Sequence, residues 1–103
     1  MTMSVIKIDK NNFDEIKNGN KPVLLDFYAT WCGPCQIVSP IIDEIAVDRE
    51  DITVGKINVD VSPDLAQEFG IYSIPTLVVL KEGKVYRQVS GARPKEAILA
   101  LLD

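Results

Sequence analysis

Two periodicities alternate along the chain. Val5 to Ile8 reads as a short strand, and Asn12 then stands as the N-cap of a short helix ending near Gly19. Val23 to Tyr28 is almost unbroken in apolar residues, the pattern of a central strand buried on both faces. A helix starting around Cys32 carries Ile37, Ile41, Ile42 and Ile45 as its apolar stripe, with Pro40 inside it as an expected kink. Thr53 to Asp60 reads as a third strand. Ser62-Pro63 supplies an N-cap and an N1 proline for a helix ending near Gly70. Thr76 to Lys81 and Lys84 to Ser90 are strands joined by Glu82-Gly83, a two-residue hairpin signal, and Pro94 to Leu102 closes as a helix.

The order βαβαβαββα predicts an α/β fold with a central mixed sheet of about five strands flanked by about four helices. Helical crossovers imply parallel strands in the first part, and the hairpin adds an antiparallel pair. No repeat, linker or low-complexity segment interrupts residues 1–103, which read as one domain with one core.

Charge and composition narrow the function classes. Hydrophobic residues make up 47% and charged residues 25% of the chain, with a net charge of −4 and no basic block. Binding to nucleic acid or to an anionic membrane therefore lacks electrostatic support. Met1 to Lys10 shows no basic segment followed by a long apolar stretch, and no run approaches the ~18 apolar residues of a membrane span. The expected compartment is the cytoplasm, where a cysteine pair is more often catalytic than structural.

The two cysteines lie in Trp31-Cys32-Gly33-Pro34-Cys35, directly after the Val23 to Tyr28 strand and at a helix start. Unpaired backbone N–H groups and the positive end of the helix dipole face a sulfur placed there, and favour its thiolate below the free value of ~8.5. Cys35 falls one turn later on the same face, about 5 Å away between Cα atoms, within the disulfide window. This is a redox switch in outline. As a purely structural bridge so short a loop would contribute only ~2 kcal/mol, and cytoplasmic reduction would forfeit it. As a zinc site it lacks ligands, since the chain has two Cys and no His. Gly33-Pro34 adds no charge, so thiolate stabilisation is moderate and the pair favours disulfide reduction over oxidase or isomerase chemistry. Asp26 sits mid-strand between Leu25 and Phe27, where desolvation raises a carboxyl towards neutrality and suits it to accept a proton.

The motif, the Val23-Leu24-Leu25-Asp26-Phe27 strand, Lys56-Ile57-Asn58-Val59-Asp60, Gly70-Ile71-Tyr72-Ser73-Ile74-Pro75-Thr76, Pro40 and the late Gly91 together resemble the thioredoxin family over essentially the whole chain. The resemblance implies a protein-disulfide reductase, or dithiol electron donor, in which Cys32 is the attacking thiol, Cys35 the resolving thiol and Asp26 the proton acceptor. It implies redox tuning by Gly33, Pro34 and Lys56, a cis bond at Ile74-Pro75, and a substrate rim of Trp31, Ile74, Pro75, Gly91 and Ala92. No bound cofactor and no metal are implied. The disulfide would be restored by an external thioredoxin reductase, an NADPH-dependent flavoprotein or a ferredoxin-linked enzyme, and the protein would act as a monomer on disulfide-containing proteins. Tyr28, Gln36, Tyr72 and Ser73 depart from the usual family pattern and bear on partner preference. The rival readings are an oxidase or isomerase, and a binding module that uses the scaffold without turnover.

Overall fold

The computed structural model describes residues 5–103. The reading of Met1 to Lys10 as free of an export signal falls partly on residues 1–4, outside the described residues. The elements follow the expected order: β1 (Val5–Lys7), α1 (Phe13–Lys17), β2 (Val23–Tyr28), α2 (Gly33–Asp48), β3 (Thr53–Asn58), α3 (Pro63–Glu68), β4 (Thr76–Lys81), β5 (Lys84–Ser90) and α4 (Lys95–Ala100).

The five strands form one sheet in the order β1-β3-β2-β4-β5. β3 pairs parallel with β1 and β2, while β4 runs antiparallel to both β2 and β5. Central placement explains why β2 is apolar on both faces. Leu24, with Val54, Leu77 and Val79, meets Val38, Ile42 and Ile45 of α2 and Ile98 of α4. Leu25 and Phe27, with Ile57, Val78 and Leu80, face the other way, onto Phe13 of α1 and Leu65 of α3. Each face therefore has its own apolar layer, sealed by helices.

Several details depart from the sequence pattern. Ile37 is 66% exposed and does not belong to the stripe; the buried positions are Cys35, Val38, Ile42, Ile45 and Ala46. Spacings of three and four from Cys35 define that face, and Ile37, about 100° before Val38, points away from it. Asn12 and Ser62 occupy N-cap positions, but neither side chain caps its helix. Asn12 instead accepts from the Asp9 N–H and donates to the Lys7 carbonyl, stitching the preceding loop. α4 is shorter than expected, and β3 ends at Asn58 rather than Asp60. Helix α2 runs through Pro40 without ending. Glu82 and Gly83 both have positive φ, 54° and 76°, as a tight I′ hairpin turn requires.

Gly55 lies where β3 passes beneath Ile8. A Cβ there would stand 2.1 Å from Ile8 Cδ1 and 3.3 Å from the Ile6 carbonyl oxygen. Ile8 is 2% exposed and has little room to yield. Gly55→Ala is expected to cost about 1–3 kcal/mol, read as a lower urea midpoint at unchanged slope. Truncating Ile8 in the same chain should make the two substitutions less costly than their sum. Strict additivity would show that the crowding is not the cause.

Candidate active site

β2 ends at Tyr28, and four residues later the chain enters α2 with Cys32 as its N-cap, in extended conformation. The backbone N–H of Cys35 donates to Cys32 Sγ at 3.2 Å, so the sulfur itself occupies the place of a capping oxygen. Pro34 in the first turn has no N–H to offer, which leaves the Cys35 amide as the donor aimed at that sulfur. No acidic side chain stands in the first turn of α2 to oppose a negative charge there. Cys32 and Cys35 are joined as a disulfide, with Cα atoms 5.3 Å apart. Both are buried, Cys35 the deeper at 2% against 5% exposure. They pack with Ala29 in a small cluster edged by Tyr28, Val59 and Ile74.

The Ile74-Pro75 bond is cis, and the Ile74 carbonyl oxygen lies 3.7 Å from Cys32 Sγ. Two bonds pin this loop. Thr76 Oγ1 donates to the Ser73 carbonyl at 2.6 Å, and the Gly91 N–H donates to the Pro75 carbonyl at 2.8 Å. Gly91 has φ +99°, a conformation side chains resist, so a glycine there lets the loop after β5 close onto Pro75. Gly91 and Ala92 are exposed beside the site.

Trp31 is 70% exposed, and its indole Nε1 donates to Asp60 Oδ2 at 2.8 Å. That bond fixes a large apolar plate at the rim. Trp31, Val59, Ile71, Tyr72, Ser73 and Ile74 line a shallow groove of about 170 Å³ next to the disulfide. Asp60 is a site residue that sequence reasoning left without a role, because nothing local links it to an indole 29 residues away. Among the departures from the family pattern, Tyr28 is half-buried against the cysteines. Gln36 donates to the Thr30 carbonyl at 3.3 Å, and Tyr72 is 97% exposed.

Asp26 is 1% exposed, and neither carboxyl oxygen has a hydrogen-bond partner. Strand alternation puts it on the Leu24 side of β2, under α2. Burial pushes its pKa from the ordinary 3.8 up to about 6; the positive charge of Lys56 lowers it and the negative charge of Asp43 raises it further. Lys56, its register partner on β3, acts on it through space rather than by an ion pair. The Lys56 ammonium is bound instead to Asp43 Oδ1, at 2.8 Å, and to Ser39.

A capped sulfur joined to a second cysteine one helical turn on, beside a cis-proline and a fixed aromatic rim, defines a thiol–disulfide oxidoreductase. The family model described as Thioredoxin matches residues 4–103. The chain is 48% identical over 103 residues to a thioredoxin of Pyropia yezoensis, covering 98% of this chain and 96% of that one. It is 45% identical over 102 residues to the thioredoxin of Mycobacterium tuberculosis strain H37Rv, covering 97% and 88%. A solved structure of a single-residue mutant of thioredoxin from Halobacterium salinarum NRC-1 superposes with a TM-score of 0.88 at 35% identity, covering 94% of this chain and 86% of that one. This chain belongs to the thioredoxin family, and its redox centre is the Cys32–Cys35 pair.

A Mycobacterium leprae relative, 45% identical over 92 residues, is a bifunctional thioredoxin reductase/thioredoxin; the match covers 88% of this chain and 20% of that one. Among the described residues no helix is long and apolar enough to cross a membrane.

Proposed function

We propose that the protein is a general protein-disulfide reductase whose chemistry runs through Cys32, Cys35 and Asp26. The Cys32 thiolate attacks a substrate disulfide, forming a mixed disulfide and releasing one substrate thiolate. Cys35 gives its proton to Asp26, and the resulting thiolate attacks Cys32 Sγ. The Cys32–Cys35 bond forms, the mixed disulfide breaks, and the second substrate thiolate leaves and takes up a proton. Two electrons have passed to the substrate. Gly33, Pro34 and Lys56 tune this couple, and Trp31, Ile74, Pro75, Gly91 and Ala92 receive an extended substrate segment.

One observation carries the reading: the Cys35 N–H is directed at Cys32 Sγ. It stabilises charge on the attacking sulfur while leaving the pair close enough to close. With no imidazolium or other cation in the first turn, that stabilisation stays moderate, so the disulfide is hard to reduce and the dithiol is a good reductant. A reductase partner, an NADPH-dependent flavoprotein, returns the disulfide to dithiol; the fused reductase of the Mycobacterium leprae relative supports that pairing. The protein works as a cytoplasmic monomer with no bound cofactor.

The test is the reduction potential of the couple, followed through the fluorescence of Trp31, the only tryptophan and the neighbour of Cys32. The expected value is near roughly −270 mV, the potential characteristic of thioredoxins. A value above roughly −200 mV would instead assign oxidase or isomerase chemistry.

A further inference from the structure

Lys56 does not go where electrostatics alone would send it. It stands directly beside Asp26 in the parallel β2–β3 register, and registered neighbours in a sheet project from the same face. A buried carboxylate without a partner is costly, and a lysine on the adjacent strand is its natural counter-ion. Yet both Asp26 oxygens are without a hydrogen bond. The Lys56 ammonium is turned up into α2, where Asp43 Oδ1 lies at 2.8 Å, Ser39 Oγ at 2.5 Å and the Ser39 carbonyl oxygen at 3.4 Å. An ammonium has three donors, so these three acceptors use all of them.

We propose that Ser39 is a positioning residue for Asp26: together with Asp43 it clamps Lys56 against α2 and keeps the ammonium off the Asp26 carboxylate. Ser39 and Asp43 are one helical turn apart, so both face β3. Their contributions differ in kind. The Asp43 side chain is 58% exposed, so its attraction for Lys56 is screened by solvent and weakens with salt. Ser39 is half-buried and neutral, and its two oxygens hold the ammonium by hydrogen bonds that salt does not screen. The clamp matters because a direct ion pair would stabilise the Asp26 anion and make it a poorer acceptor near neutral pH.

The charged groups packed around Asp26 are few. β3 offers Lys56 and α2 offers Asp43, with Cys35 in the first turn of the same helix. β4 presents apolar Leu77 opposite Asp26. On α4, Lys95 is tied to Glu44 and Asp48 of α2. Among the described residues of these elements, no other cation competes for the carboxylate.

The proposal rests on the reading of Asp26 as proton acceptor, and two measurements separate them. The first is the titration of the Asp26 carboxyl by ¹³C NMR in the disulfide form, where neither cysteine titrates. Ser39→Ala is expected to lower the midpoint by about one pH unit, the lower end of what a newly paired counter-ion does. Ser39→Thr, which keeps the hydroxyl, should restore it. In the Lys56→Met background, Ser39→Ala should leave the midpoint where Lys56→Met alone puts it. A midpoint unmoved by Ser39→Ala, or moved equally without Lys56, overturns the clamp. Alanine at a half-buried helix position favours the fold, so the variant remains measurable. The second measurement is the pH profile of disulfide reduction. If the Asp26 midpoint moves and the acidic limb of turnover follows, both readings stand. If the midpoint moves and the limb does not, the clamp stands and Asp26 is not the acceptor.

Discussion

Cys35→Ser is expected to stop turnover while leaving the first chemical step intact. The Cys32 sulfur still attacks, but no thiolate remains to resolve the mixed disulfide, and the protein accumulates as a covalent adduct with its substrate. Steady-state reduction of a protein disulfide should fall to the uncatalysed background, a loss of at least about 10³-fold. Intact-mass analysis should show the substrate bound through Cys32. Cys32→Ser should lose activity equally but form no adduct, because Cys35 is the more buried of the two. An adduct on Cys35 would reverse the assigned roles. Turnover by Cys35→Ser at the parental rate would show that Cys35 does not resolve the mixed disulfide. A parent with no turnover, and partner binding unchanged by Cys35→Ser, would leave only a binding module that uses the scaffold.

Removing the Asp26 carboxyl should stabilise the fold at neutral pH. Its pKa of about 6 in the folded protein lies above the ordinary 3.8, so the folded state holds the proton more tightly than the unfolded chain. Stability contributed by this group is therefore greatest below pH ~4 and declines as pH rises from about 4 to 6. Above about 6 the loss is complete and amounts to roughly 3 kcal/mol, undiminished by solvent because the side chain is buried. Other carboxylates titrate in the same range, but they cancel when Asp26→Ala is compared with the parent. The difference in unfolding free energy should grow by about 3 kcal/mol in favour of the variant between pH 4 and 8. A cavity cost common to all pH values offsets part of the absolute gain. A difference that does not change with pH would mean that Asp26 is not held at a raised pKa. The resolving step should meanwhile slow by roughly tenfold or more. A stability gain coupled to a loss of rate is the signature of a group kept for its chemistry.

The sheet elements are legible in the sequence because their patterns are local. The apolar run Val23 to Tyr28 announces a strand buried on both faces, and Glu82-Gly83 announces its hairpin through the backbone conformation that turn demands. The cysteine pair is legible for the same reason, since a strand running into a helix start already places one sulfur at the helix terminus and the other a turn away. Asp26 is legible as a misfit, one acid inside that apolar strand. Helix details are less so. Ile37 fits an apolar stripe in composition but stands about 100° from Val38 around the helix, outside the arc of Cys35, Val38, Ile42 and Ile45 that meets the sheet. Asn12 and Ser62 have the chemistry of caps, yet neither side chain caps its helix, and that of Asn12 is taken by the loop before it, through Asp9 and Lys7.

By itself, then, the sequence determined the order of elements, the redox pair and its place at a helix N-terminus, and the burial of Asp26. Each of these follows from residues near one another in the chain. The tertiary structure alone decided which distant groups surround them. It put the Ile74 carbonyl against Cys32, hung the Trp31 indole on Asp60, and turned Lys56 away from Asp26 towards Ser39 and Asp43. Those contacts reach across as many as 42 positions of the chain. Their geometry is set by strand order and helix packing, and no local pattern of residues encodes it.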